Sequence, residues 1–214
     1  MTAALFAVTG VIAIGDWVAV WRRLPRVEYA LKPLTLATLI AATATADLPA
    51  IKGWVLAALV FSLVGDIALM ISTDRTGGLD RPFLVGLAAF LGAHVCYLAA
   101  FVRYGVASLQ LIVGLLIVAI SAALILPRIL LRARRIGGAG FAGIVAAYAA
   151  VLGAMAVSAV GTTSALTAAG GLLFLASDTL IAWERFVAPI RNGPVLVIVS
   201  YHLAQLGIVL GLIG

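Results

Sequence analysis

The chain has 214 residues, of which 64% are hydrophobic and 10% charged, with mean hydropathy +1.23 and a net charge of +6. Soluble domains carry about 25% charged residues, so the composition excludes a soluble globular domain and marks one integral membrane domain over residues 1–214. In such a chain Lys and Arg set topology, and the basic balance does not point to nucleic acid. A single cysteine, Cys96, excludes an intrachain disulfide.

About 20 mostly apolar residues cross a bilayer, and eight spans are predicted. The first, 2–21, lacks a basic run before it and is expected to remain a membrane helix, not a cleaved signal. Its Asp16, beside Trp17, Trp21 and two arginines, reads as an interfacial anchor. The second, 29–46, carries Lys32 near its start. The third, 53–72, carries Ser62 and Asp66 at i, i+4. The fourth, 82–101, carries His94 and Tyr97. Spans five and six are 105–126 and 139–159. The seventh, 164–183, places Gly171, Phe174 and Asp178 on one stripe, with Ser177 beside it, and glycine there admits a close neighbour. The eighth, 194–213, groups Tyr201, His202 and Gln205 within a 100° sector. Breaks fall at Gly77-Gly78, Gly137-Gly138 and Gly193-Pro194.

Loop charges fix a direction. The odd-numbered loops hold eleven arginines: Arg22, Arg23, Arg26, Arg75, Arg81, Arg128, Arg132, Arg134, Arg135, Arg185 and Arg191. The even-numbered loops hold only Lys52 and Arg103. By the positive-inside rule the odd loops face the cytoplasm and both termini face outward. The expected fold is an all-α polytopic bundle of eight helices in the cell membrane, that of a bacterium.

An ionised acid within hydrocarbon costs roughly 2.5–3.5 kcal/mol on insertion scales, so Asp66 and Asp178 are the leading functional candidates. With the direction above, Asp66, Asp178, Lys32, Tyr201 and Gln205 fall in one depth band near the cytoplasmic ends. The expectation is a polar cavity open to that side, walled by spans two, three, four, seven and eight. His94 is either a core histidine bonded to a backbone carbonyl or a proton relay. Lys32 either snorkels to the interface, meets a substrate phosphate or pairs with an aspartate. Ser62 and Ser177 are expected to bond back to their own helices. A weak repeat is also present: Gly65-Asp66 resembles Ser177-Asp178, and His94 and His202 follow on the next spans. It suggests two parallel four-helix halves.

No Walker loop, H-E-x-x-H, G-x-S-x-G or C-x-x-C is present. Two carboxyl groups in a partly dry cavity suit acid–base chemistry, one protonated and one ionised. Walls that face lipid make an amphiphile from the inner leaflet the natural substrate.

The run Lys32-Pro33-Leu34, Gly65-Asp66, Phe90 with His94-x-x-Tyr97, Ser177-Asp178 and Tyr201-x-x-x-Gln205 follow in order over spans two to eight. Together they resemble YhhN-type proteins. The resemblance implies a lysoplasmalogenase, which cleaves the vinyl ether of a lysoplasmalogen to a fatty aldehyde and a glycerophospho-base. It further implies catalysis by Asp66 and Asp178, no metal and no other cofactor. Lys32, His94, Tyr97, Ser177, Tyr201 and Gln205 are the expected substrate-side residues. Rival readings are a metal-dependent lipid hydrolase using His94, His202 and an aspartate, a proton-coupled transporter, and a lipid-binding scaffold.

Overall fold

The computed structural model describes residues 1–72 and 80–213. The predicted break at Gly77-Gly78 and the loop residue Arg75 lie outside the described residues. All regular structure among the described residues is helical. Seven helices follow in order: α1 (Thr2–Trp21), α2 (Pro25–Thr45), α3 (Lys52–Ile71), α4 (Arg81–Tyr104), α5 (Ser108–Gly161), α6 (Ala165–Phe186) and α7 (Gly193–Ile213). Six of them, all but α2, are long and apolar enough to cross a membrane.

Local chemistry sets the ends. Helix α2 starts at Pro25, ahead of the expected residue 29, because proline in a first turn forfeits no intrahelical bond. Asp80 caps α4, its carboxylate accepting the Phe83 N–H at 3.2 Å. Ser164 caps α6 by accepting the Thr167 N–H at 3.4 Å. These bonds satisfy donors that the first helical turn leaves over.

The largest departure from the sequence reading is α5. Segment 139–159 and all but the first three residues of 105–126 fall within it, and residues 127–138, expected as a loop, are helical. Leu, Ile, Ala and Arg are helix formers that carry the helix past its apolar stretch, and Pro127 does not stop it. The arginines at 128–135 therefore sit on helix, not in loop. The chain bends at Gly138, whose φ of 74° and ψ of −173° belong to a region open essentially only to glycine. The two halves of α5 then run antiparallel. The Ala107 N–H donates to the Gly161 carbonyl at 2.9 Å. A side chain at Gly114 would strike Val157 and Val160 at 3.1 Å.

Each helix packs on the next, and α1 packs on α7, so the bundle closes into a ring. Helix α6 is gripped most closely. A Cβ on Gly170 would lie 2.7 Å from the Ile208 nitrogen and 2.8 Å from the Ala204 carbonyl of α7. Gly171, the glycine of the predicted stripe, meets Ala159 of α5, so the adjacent glycines 170 and 171 admit two neighbours. The core inside the ring contains Leu36, Leu59, Tyr97, Phe101, Met155, Phe174 and Ile208. The outside exposes Val11, Ile14, Val18, Val64, Ile67, Ile112, Leu116 and Ile120. Against lipid, such faces gain nothing by burial, and close packing at small residues with satisfied polar groups must hold the ring.

Candidate active site

The polar residues of the interior form two clusters. In the first, α3 presents Asp66, which is 1% exposed. Lys32 of α2 places its Nζ 3.1 Å from Asp66 Oδ1. The Tyr201 hydroxyl of α7 donates to Oδ2 at 2.8 Å. One turn further along α7, Gln205 Oε1 accepts from the Tyr97 hydroxyl of α4. Gly65 makes the approach possible, since a side chain there would strike the Phe90 ring at 2.7 Å. Of the alternatives for Lys32, the structure shows the pairing with an aspartate: it is the counter-charge of a buried carboxylate.

The second cluster centres on Asp178 of α6. Its Oδ2 accepts from the Tyr148 hydroxyl of α5 at 2.5 Å and lies 3.0 Å from His94 Nε2 of α4. The same His94 nitrogen is 3.0 Å from the Tyr148 oxygen. Phe174, one turn before Asp178, is fully buried and touches both clusters edge-on. Its centroid is 4.8 Å from His94, 6.3 Å from Tyr97 and 5.5 Å from Tyr201. Ser177 donates to the Val197 carbonyl of α7 at 3.1 Å and so ties α6 to α7.

A cavity of about 620 Å³ opens beside the second cluster, between α3, α4, α6 and both halves of α5. Asp178 and Tyr148 line it; Asp66, Lys32, Tyr201 and Gln205 do not. This corrects the expectation of a polar cavity walled by spans two, three, four, seven and eight. The physical cause is side-chain size. Ala146, Ala149, Ala150 and Gly153 on one half of α5 and Ala122 on the other cannot fill the gap to α6. The α2 and α7 side carries the Lys32–Asp66–Tyr201 and Tyr97–Gln205 contacts and packed aromatic rings. The cavity walls are overwhelmingly apolar, and among the described residues the charged ones lining it are Asp178 and Arg185.

Further expectations are corrected. Asp16 is not at an interface: it is fully buried, and neither carboxylate oxygen meets a donor among the described residues. Packing of α1 against both α2 and α7 encloses it. Ser62 makes no bond back to its helix, and Ser177 bonds another helix. His94 meets no backbone carbonyl among the described residues. Nor does either histidine pair with the aspartate before it in sequence. His94 meets Asp178, and His202 Nδ1 accepts from Trp17 Nε1 at 3.1 Å. The two histidines of the rival metal site therefore belong to different clusters, and among the described residues no three His, Cys, Asp or Glu side chains converge.

Sequence reasoning missed Tyr148. The available signal was weak: it is the one tyrosine of segment 139–159, and a tyrosine among apolar residues raises no alarm.

Residues 27–212 match the YhhN family. This chain belongs to that family. The YhhN chain is 34% identical over 156 residues to lysoplasmalogenase TMEM86B of Sus scrofa, covering 69% of the chain and 58% of that relative. It is 31% identical over 165 residues to lysoplasmalogenase TMEM86A of Bos taurus, covering 71% and 62%. Against human lysoplasmalogenase TMEM86B it is 34% identical over 163 residues, covering 72% and 60%. The YhhN chain thus spans about three fifths of the length of these relatives. No solved structure matches it.

Proposed function

We propose that this YhhN protein is a lysoplasmalogenase that hydrolyses the vinyl ether of a lysophospholipid at Asp178. The observation that carries the reading is the cavity: apolar walls of alkyl-chain character with one carboxyl group, held by Tyr148 and His94, set into them. The names of the similar proteins supply the reaction.

A vinyl ether resists base but yields to acid. Asp178, protonated, gives its proton to the β-carbon of the C=C bond, and the resulting positive charge is shared between the α-carbon and the ether oxygen. Water adds to the α-carbon and returns a proton to the Asp178 carboxylate. The hemiacetal then collapses to a fatty aldehyde and the glycerol hydroxyl of the released headgroup. Tyr148 and His94 orient the carboxyl and supply a route for its proton. Asp66 is the positioning member of the pair: with Lys32 it anchors Tyr201, which packs on Phe174 behind the reacting centre.

In the same reading the chain crosses the membrane eight times as one domain. The two antiparallel halves of α5 count as separate spans, and α2 crosses under cover of α1 and α3. The arginine-rich ends face the cytoplasm, both termini lie outside, and substrate enters from the inner leaflet.

The test is aldehyde release from a lysoplasmalogen by purified protein in detergent, with Asp178→Asn and Asp66→Asn alongside. Release by the wild type and its loss in both variants, each still folded, is the expected result. Full activity in both variants, or none in folded wild type, would overturn the reading.

A further inference from the structure

Helix α5 continues past its first apolar stretch, and Arg128, Arg132, Arg134 and Arg135 fall on the continuation. All four are exposed. At 100° per residue Arg128, Arg132 and Arg135 share a sector about 60° wide. Another face of the same turns carries Ile129 and Ala133, which are buried in a core with Phe83, Phe141 and Val145. The segment is therefore seated on the bundle with its arginines held outward. Arg128 donates to the Leu124 carbonyl of its own helix at 3.2 Å, which leaves its charge without a counter-ion. No acid occurs in α5, and among the described residues no ion pair engages any of the four arginines. Residues four apart on a helix lie about 5–6 Å from each other at Cβ, so Arg128 and Arg132 can close on a single phosphate. A second observation lies on the same i, i+4 row. Leu124, one turn before Arg128, and Ile120, one turn earlier still, are exposed, and so is Leu131 among the arginines. The row thus passes from apolar side chains to guanidinium groups in the order in which a phospholipid passes from acyl chain to phosphate. An acidic protein or a nucleic acid would meet the arginines and leave Ile120 and Leu124 uncovered.

We propose that this face of α5 is a docking site for anionic phospholipids of the membrane. Arg128, Arg132 and Arg135 take the headgroup phosphate, and Ile120 and Leu124 take the acyl chain. Clustered basic residues at the end of a membrane helix attract anionic headgroups, and a zwitterionic lipid gains less because it brings a positive charge of its own. Ile125 and Ile129 of the same turns line the cavity, so the docked lipid lies along the helix that walls it. The assignment does not depend on the reaction at Asp178. The arginines between α1 and α2 are placed differently. Arg22 lies over the Trp21 ring, 4.8 Å from its centroid, and the first turn of α2 carries an acid, Glu28. They serve as the comparison.

The test measures binding of two tail-labelled diacyl lipids, phosphatidylglycerol and phosphatidylcholine, to the purified full chain in a neutral detergent. One arginine near an anionic headgroup contributes roughly fivefold. Wild type should therefore prefer phosphatidylglycerol by at least about tenfold, and the preference should shrink as salt rises. The triple variant Arg128→Gln, Arg132→Gln, Arg135→Gln should lose the preference while binding phosphatidylcholine as before. Lysine at the same three positions should keep most of it, which separates lost charge from lost fold. The variant Arg22→Gln, Arg23→Gln, Arg26→Gln removes the same charge elsewhere and should keep the wild-type preference. Glycerophosphoglycerol, the headgroup without chains, should compete at least about tenfold more weakly than the intact lipid, because the apolar part of the row adds to binding. No preference in wild type, a preference unchanged in the α5 glutamine variant, or equal loss in both glutamine variants would overturn the docking site. Competition by the free headgroup as strong as by the lipid would replace it with a simple anion site.

Discussion

Asp66 and Asp178 sit in the same bundle but in opposite surroundings. Asp66 is enclosed: an ammonium group neutralises one oxygen, a tyrosine bonds the other, and aromatic rings separate it from the cavity. Among the described residues no lysine or arginine pairs with Asp178; a tyrosine and a histidine hold one oxygen, and the carboxyl borders a space of about 620 Å³. A carboxyl group enclosed with a fixed counter-charge is built to hold its neighbours. One on a cavity wall, with a hydroxyl and an imidazole in reach, is built to exchange a proton with something that enters. Sequence treats the two as equivalents, and the surroundings assign them different work.

The sharpest way to break this contrast is to remove each acid's function separately. Asp178→Asn should lower turnover by about 10²–10⁴-fold, the range for a lost acid–base group, with little change in thermal unfolding in detergent. Lys32→Met should act mainly on stability, since it strips a buried carboxylate of its partner, at about 3–5 kcal/mol. Adding Asp66→Asn in that background should restore most of the loss, because the pair is then replaced by two neutral groups. Should Lys32→Met leave unfolding unchanged, the enclosed site is not the charge-balanced structure described.

Matched hydroxyl deletions sharpen the comparison further. Tyr148→Phe removes a donor at the cavity and should reduce kcat. Tyr201→Phe removes the corresponding donor at Asp66 and should appear in stability, about 1.5–3 kcal/mol for a bond to a charged group. Equal effects of both variants on kcat would erase the distinction. The smallest effect is expected away from both sites. Gly138→Ala meets no atom within 4 Å, so its effect is backbone strain alone, about 1–3 kcal/mol. It should appear in thermal unfolding with kcat kept.

What was legible in the sequence follows the same physics. Asp66, Asp178, Lys32, Tyr201 and Gln205 stood out because polar groups in apolar spans demand partners, and the structure supplies them. The pairing itself was not legible. Asp178 meets His94 and Asp66 meets Tyr201, each crossing from one half of the chain to the other, and only the closed ring determines that. Tyr148 escaped notice because a tyrosine sits comfortably among apolar residues. The cavity escaped because it is made by what is missing, the volume that alanines and Gly153 leave beside α6. At Gly138 a break was readable from the glycine pair, but not that helix would continue almost to the bend on both sides.

The central claim, that Asp178 protonates the β-carbon of a vinyl ether, is tested most directly in heavy water. Purified protein is given an alkenyl lysophosphatidylcholine in D2O, with the aldehyde trapped as it forms and its mass recorded beside that from Asp178→Asn. The account predicts one deuterium at the aldehyde carbon next to the carbonyl from wild type, and aldehyde release lower by about 10²–10⁴-fold from Asp178→Asn. Aldehyde without deuterium at that carbon, or labelled aldehyde released equally by Asp178→Asn, would contradict it.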